Sequence, residues 1–314
     1  MDPLGELTFE WDTSLATLRE LARRGHETWC ADSRFVWQEN QMVWARAQRL
    51  TFKKTSTPGL KRRDLKRTFP DSKNLRDFEL ILIRKEPPFD SDYLYLTQML
   101  EALRGRVAMV NDPRGIRDAN EKLSILNFPE WIPETLVTRS AAATLKFRKR
   151  IHADLVVKPL DQKGGEGVFI LKNNSWTALK RLGALASRSS LFMAQRRLDH
   201  IPGSEKRILI LNGNFLCAYA KHPAPGEFRA NLGLGGTFHK TVLSHNEAKL
   251  VRALRRYLLD RGLFFVGIDV LAEKLIEINV TSPAGLYEAR VLYPRLAAVE
   301  GYADFLQAFA KRRL

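Results

Sequence analysis

Val266-Gly267-Ile268-Asp269, the turn Ala272-Glu273-Lys274, and Leu275-Ile276-Glu277-Ile278-Asn279-Val280-Thr281-Ser282-Pro283 carry the most structural information in this chain. Two apolar runs around a short polar turn predict paired strands at 264–270 and 275–280. Glu277 and Asn279 are two apart on the second strand, so both side chains point to one face. Asp269 ends the first strand, just across the turn. Two carboxylates and an amide oxygen therefore converge, without His or Cys. Hard oxygen donors of this kind suit Mg²⁺ carrying phosphate groups. The alternative is a set of polar residues on a solvated strand face. The apolar neighbours weigh against it, because unpaired carboxylates are costly in a buried setting.

Working outward, three more constellations stand out. Strand-like runs at 155–157 and 168–171 flank a turn with Lys158, Asp161, Lys163, Gly164, Gly165 and Gly167. Glycines tolerate positive φ and let backbone N–H groups approach phosphate. No G-K-[ST] and no helix follows, so this is neither a P-loop nor a dinucleotide fingerprint. A plain flexible hairpin turn is the other reading. Arg207 heads the apolar run 208–211, where a guanidinium can clamp a phosphate or a developing oxyanion, or simply sit at a strand mouth. The loop 226–236 combines Gly226, Arg229, Asn231, Gly235 and Gly236, which suits a mobile carboxylate binder or an ordinary loop. The six histidines form no i,i+4 pair and no triad. Cys217, between apolar residues, reads as core.

The chain has 314 residues and a net charge of +16, with pI about 10.0. Such charge speaks of anionic partners, whether nucleotides, phosphorylated substrates, nucleic acids or membranes, and not of fold. Two distant cysteines, Cys30 and Cys217, indicate neither a metal site nor a disulfide framework. The acidic start lacks a signal-peptide pattern. No apolar run approaches the ~18 residues of a membrane span. A soluble, cytoplasmic protein is expected.

A helix is expected from Asp12 or Thr13, through Leu15, Leu18 and Leu21, to Gly25. Leu7-Thr8-Phe9 has strand composition. The basic stretch 52–69 reads as a loop or mobile arm. A buried strand at 78–83, a helix at 92–103, a strand at 107–110 and a helix at 246–259 are also expected. Asp118 with Glu121 three residues on resembles a capping box opening a helix. Strands at 207–211 and 215–219 complete an N-terminal βα layer followed by a two-lobed α+β region.

These segments, in this order, resemble bacterial glutathione synthetase over nearly the whole chain. The matching stretches are Met1-Asp2-Pro3, Arg84-Lys85-Glu86-Pro87-Pro88-Phe89-Asp90, Arg117-Asp118-Ala119-Asn120-Glu121-Lys122-Leu123 and Pro133-Glu134-Thr135-Leu136-Val137-Thr138-Arg139. Val157-Lys158-Pro159-Leu160-Asp161, Met193-Ala194-Gln195, the arginine–asparagine–glycine loop and the 267–283 block continue the series. The resemblance implies an ATP-grasp fold: a Rossmann-like N-terminal domain (1–117), a central lid subdomain (118–197) and a catalytic subdomain (198–314). It implies a homo-oligomeric ligase that joins γ-glutamylcysteine to glycine through an acyl phosphate, using ATP and Mg²⁺, or Mn²⁺. Lys122, Lys158, Asp161, Gly164, Gly165, Gly167, Gln195, Leu198 and Glu205 would contact nucleotide. Asp269, Glu277 and Asn279 would hold metal. Arg207 would stabilise the transferring phosphoryl group, with Arg229 beside it. Arg84, Arg229, Asn231, Gly235, Gly236, Ser282 and Pro283 would face substrate.

The chain departs from the family pattern in places. It starts at Met-Asp-Pro, where the family carries a short apolar strand ahead of that motif. Either translation begins upstream or the sheet has one strand fewer. Gln195-Arg196-Arg197-Leu198 stands where an Asn-Tyr pair is usual, Thr237-Phe238 replaces Arg-Gly, and Ser204-Glu205 replaces Gly-Asp. The substrate change keeps a sister carboxylate–amine ligase open. The charge and the 53–67 arm keep a basic nucleic-acid-binding or scaffold paralogue open, although no recognition helix or RNP-type motif is visible.

Overall fold

The computed structural model describes residues 1–53, 59–160, 162, 164–173, 175–187, 190–199, 205–230 and 232–312. Helix α1 (Thr13–Arg23) is capped by Asp12, which accepts from the Leu15 N–H at 2.7 Å. Two long antiparallel strands follow, β1 (Thr28–Glu39) and β2 (Met42–Phe52). Asn40, at φ 52°, makes the tight turn between them. Short strands β3 (Leu65–Arg67) and β4 (Asp71–Asn74) also pair with β2. The parallel part of the N-terminal region is one βαβ unit: β5 (Leu80–Leu82), α2 (Ser91–Glu101) and β6 (Ala108–Val110). Helix α3 (Pro113–Asp118) comes next.

Two antiparallel sheets make up the rest. The middle lobe contains β7 (Thr135–Thr138), α4 (Ala141–Ile151), β8 (Leu155–Pro159), β9 (Phe169–Leu171), α5 (Trp176–Ser187) and β10 (Phe192–Arg196), in strand order β7-β10-β8-β9. Phe147, Leu155, Val157, Leu171, Leu182 and Phe192 form its own core. The C-terminal lobe contains β11 (Glu205–Leu211), β12 (Asn214–His222), β13 (Thr237–Lys240), α6 (His245–Asp260), β14 (Phe265–Leu271) and β15 (Lys274–Asn279), in order β13-β12-β11-β14-β15. Ile208, Ile268 and Ile278 on one sheet face bury with Leu250, Leu254 and Leu258 of α6. Helices α7 (Leu286–Leu292) and α8 (Ala298–Lys311) close the chain, α8 packing against α1.

Several expectations change. Asp118 ends α3 instead of opening a helix, because Asp112 already caps it and Pro113 occupies its first turn. The capping in this stretch falls to Asn120, whose Oδ1 accepts from the Lys122 and Leu123 N–H groups. A true capping box lies at Ser244 and Glu247. Leu7-Thr8-Phe9 lies in turns, with the Trp11 N–H donating to Thr8 O. The basic stretch is not a free arm where it is described: β3 pairs with β2 and Leu60 is buried. The β1–β2 hairpin was not anticipated. A register shift between Ala31 and Val36 breaks its alternation just where charged residues cluster. No helix among the described residues is long and apolar enough to cross a membrane.

Candidate active site

The strand pairing builds the site. Tyr219, Arg207, Asp269 and Glu277 are register partners across β12, β11, β14 and β15. Lys221, Glu205 and Asn279 are two residues from members of that row, so the pleat brings all seven to one face. The opposite face carries the isoleucine core. One sheet thus presents its charges to a cleft of about 740 Å³ and its aliphatics to α6.

Asp269 is the centre of the row. Arg207 grips it with two hydrogen bonds, Nε to Oδ1 at 2.8 Å and Nη2 to Oδ2 at 2.9 Å. Lys221 Nζ lies 3.1 Å from Oδ1 and 2.8 Å from Glu205 Oε1. Burial would raise the Asp269 pKa, but the Arg207 guanidinium and the Lys221 ammonium overcome it and hold the carboxyl below its ordinary range. Burial works against Lys221 too, yet Asp269 and Glu205 keep its pKa raised.

The middle lobe supplies the facing wall. Lys158 Nζ donates to Gln195 Oε1 at 2.7 Å, and Gln195 Nε2 donates to Thr135 Oγ1 at 3.0 Å. Burial pulls the Lys158 ammonium down to about 8. Lys122 Nζ donates to Gln162 O at 2.6 Å and stands 3.4 Å from Glu277 Oε1. Gly164, Gly165 and Gly167 all have positive φ. At Gly165 a Cβ would meet Arg229 Cδ at 3.1 Å. Arg229 Nη1 donates to Gly165 O at 2.8 Å while Glu227 holds the rest of the guanidinium, so the two glycine loops meet.

Of the expected site residues, Lys122, Lys158, Gly164, Gly165, Gln195, Leu198, Glu205, Arg207, Arg229, Asp269, Glu277, Asn279, Arg84 and Ser282 all line this cleft. Gly167, Gly235, Gly236 and Pro283 do not. Gly167 stands against the Pro159 ring, and Pro283 instead offers its carbonyl to Arg84 Nη2 at 2.9 Å. Asp161, Lys163, Ser204 and Asn231 lie outside the described residues. The two hinge arginines carry acidic partners: Arg196 pairs with Glu134 at 2.7 Å and Arg197 with Asp154 at 3.7 Å.

Sequence reading missed Lys221, Tyr219 and the role of Glu121. Lys221 is a lone cation two residues beyond the apolar run 215–219, a period-two signal cut off by ending the strand too soon. Glu121 Oε1 accepts from the N–H groups of Val280 and Thr281 and from Thr281 Oγ1. It fixes the backbone that carries Ser282. Burial, then the nearby Glu277, raise its pKa.

The donor set fits a phosphate-borne divalent cation. Asn279 spends its Nδ2 on Gly267 O and Asp269 Oδ2, which leaves its Oδ1 for another partner beside the two carboxylates. Mg²⁺ takes one or two carboxylates and draws the rest of its shell from phosphate and water.

Two α+β lobes closing on a cleft of lysines, arginines and hard oxygen donors define an ATP-grasp enzyme. Residues 1–117 match the prokaryotic glutathione synthetase N-terminal domain and residues 121–293 its ATP-grasp domain. The chain belongs to the prokaryotic glutathione synthetase family and is an ATP-dependent ligase. The glutathione synthetase of Nitrosomonas europaea is 38% identical over 297 residues, covering 92% of this chain and 90% of that one. That of Yersinia pestis is 35% identical over 312 residues, covering 98% and 95%. The solved ATP-grasp ligase PsnB, complexed with minimal precursor, Mg and ADP, shares the fold with a TM-score of 0.61 at 18% identity over 96% of this chain and 95% of that one. D-alanine–D-alanine ligase from Bacillus anthracis, complexed with ATP, does so with a TM-score of 0.53 at 15% identity over 76% and 80%.

Proposed function

We propose that this ligase joins the cysteinyl carboxylate of γ-glutamylcysteine to the amine of glycine through an acyl phosphate. The observation that carries the reading is the in-register row Arg207–Asp269–Glu277 facing Lys158 and Lys122 across the cleft. A carboxylate oxygen attacks the γ-phosphorus of ATP and ADP leaves. The amine nitrogen then attacks the acyl carbon, phosphate leaves, and the nitrogen gives up a proton. Phosphoryl transfer asks a protein for position and charge stabilisation. Lys122 and Lys158 hold phosphate oxygens, and Gln195 and Leu198 border the nucleotide. Arg207, already oriented by Asp269, stabilises charge on the transferring group and on the acyl phosphate. Asp269, Glu277 and Asn279 would hold Mg²⁺ or Mn²⁺, which would neutralise phosphate charge. Arg84, Arg229 and Ser282 receive substrate carboxylates, and the two glycine loops shield the acyl phosphate from water. Residues 1–117 supply the substrate side, 118–197 the lid and 198–314 the catalytic sheet. A homo-oligomer in the cytoplasm goes with this reading.

Phosphate release with ATP, Mg²⁺, γ-glutamylcysteine and glycine tests it, each component omitted in turn. Release should need all four and yield glutathione. Turnover of another acid–amine pair, with silence on this one, replaces the substrates and keeps the ligase. Failure to bind nucleotide overturns the assignment of the cleft.

A further inference from the structure

Among the described residues, two buried carboxylates line the cleft, Asp269 and Glu288. Asp269 is bonded on both oxygens. Glu288, on α7 and 6% exposed, has an Oε2 with no hydrogen-bond partner among the described residues. Thr13, at the start of α1 and 2% exposed, also lines the cleft, and its Oγ1 has no such partner either. An unpaired buried oxygen destabilises the fold, the more so when it is charged. Two of them lining one binding cleft mark a place that a ligand's donors complete.

The surrounding structure holds both groups in position. Arg84 donates from Nε to Ser14 Oγ at 3.0 Å and from Nη2 to Pro283 O at 2.9 Å, which pins the first turn of α1 to the chain that leads into α7. Helices α1 and α7 are in contact. Arg207 Nη1 donates to Ala284 O at 3.3 Å, about one helical turn before Glu288. At Gly285 a Cβ would meet Leu209 Cδ1 and Tyr219 Cε1, both at 3.1 Å, so α7 starts tight against β11 and β12. The charged and titratable groups that act on Glu288 or feel it are Arg207 of β11, Cys217 and Tyr219 of β12, and Tyr287 of its own helix. Burial raises the Glu288 pKa above its ordinary 4.5, against the pull of its own backbone N–H and of the Arg207 guanidinium.

A run of rings borders this end of the cleft. Trp11 packs with Tyr287 at 6.3 Å between centroids, Tyr287 with Phe238 at 6.5 Å, and Phe238 with Tyr219 at 6.3 Å. One carboxylate, one hydroxyl and aromatic faces suit an organic ammonium group. Mg²⁺ asks instead for a full shell of oxygen ligands and water.

We propose that Glu288 and Thr13 receive the acceptor amine as its ammonium, and that Glu288 takes a proton from it. This rests on the acyl-phosphate reading above. The Glu288 carboxylate accepts one proton from –NH₃⁺ and becomes a neutral acid. The freed nitrogen lone pair attacks the acyl carbon, and the bond from that carbon to the phosphate oxygen breaks with its electron pair on the oxygen. The departing phosphate takes the second proton of the nitrogen, and Glu288 later returns its own to water.

Two nucleophiles test this on whichever acid the wild type activates, γ-glutamylcysteine if the reading above holds. Activation of a different acid replaces the proposed substrate, and the variants are then compared on that acid. The amine acceptor enters as a cation. Hydroxylamine is uncharged at neutral pH and captures the acyl phosphate without a base. Glu288→Gln should lower amide formation about hundredfold or more, while hydroxamate formation and the KM for ATP stay close to wild type. Thr13→Val should raise the KM of the amine about tenfold, with the KM of the acid and of ATP unchanged. Glu288→Gln removes a buried charge and Thr13→Val an unpaired hydroxyl, so neither should lower Tm. Equal losses with both nucleophiles overturn the inference, as do a rise in the KM of the acid in place of the amine and a fall in Tm that tracks the lost activity.

Discussion

The two walls of the cleft are built on opposite principles. The C-terminal wall is a platform of charges that satisfy one another before any ligand arrives: Arg207, Lys221, Glu205 and Asn279 all converge on or around Asp269. The facing wall offers Lys158, held by the Gln195 amide oxygen, Lys122, shared between Gln162 O and the Glu277 carboxylate, and a turn whose glycines take positive φ. A preorganised platform stabilises charge with no reorganisation at the moment of reaction. A glycine-built cover adapts its backbone to what lies beneath it. On the proposed reading, position is set by one wall and enclosure by the other.

The largest expected effect breaks the platform. Asp269→Asn leaves Arg207 and Lys221 short of a buried counter-charge, and should cost about 3–5 kcal/mol in denaturant unfolding together with nearly all turnover. In the wild type this contribution has a definite pH sense. The carboxyl titrates below its unfolded value of 3.8 when folded, so its stabilisation is complete at neutral pH and is lost as pH falls through that region.

Next in size is a contrast at Lys158. Because burial lowers its pKa from 10.5 to about 8, the cation is lost early as pH rises. kcat/KM for ATP should fall above that pH by up to about tenfold per unit, while Lys158→Arg should flatten the profile. Stability moves the other way: the folded state binds fewer protons than the unfolded state between about 8 and 10.5, so unfolding free energy rises across that window. A stability curve flat there would show that Lys158 is not desolvated.

A smaller effect should confine itself to the cover. Gly165→Ala puts a Cβ at positive φ and against Arg229, a strain of about 1–2 kcal/mol. The expected result is a kcat/KM loss near tenfold with a Tm lower by only a few degrees; a Tm loss as large as that of Asp269→Asn would mean that the turn belongs to the rigid wall. Smallest of all is Arg256→Ala, which removes a guanidinium 93% exposed and 3.4 Å from Asp260. It should change stability by less than about 0.5 kcal/mol.

The same contrast explains how much was legible in the sequence. The platform strands at 264–280 were readable because a period of two places Asp269, Glu277 and Asn279 on one face and isoleucines on the other. Arg207 followed from its place at the head of an apolar run. Lys221 escaped because its strand runs two residues past the last apolar one. Glu121 escaped for another reason: its spacing from Asp118 imitates a local helix cap, while its real partners lie 159 and 160 residues away. The contact between Arg229 and Gly165 spans 64 residues and leaves no periodic trace. The β1–β2 hairpin was hidden by its own register shift.

The Asn111 side chain has a mechanical meaning. Its Nδ2 donates to Phe265 O and Val280 O, and its Oδ1 accepts from the Phe265 N–H. Three buried bonds rivet the N-terminal region to the C-terminal sheet, and Arg84 adds a fourth through Pro283. Those two parts form a single anvil.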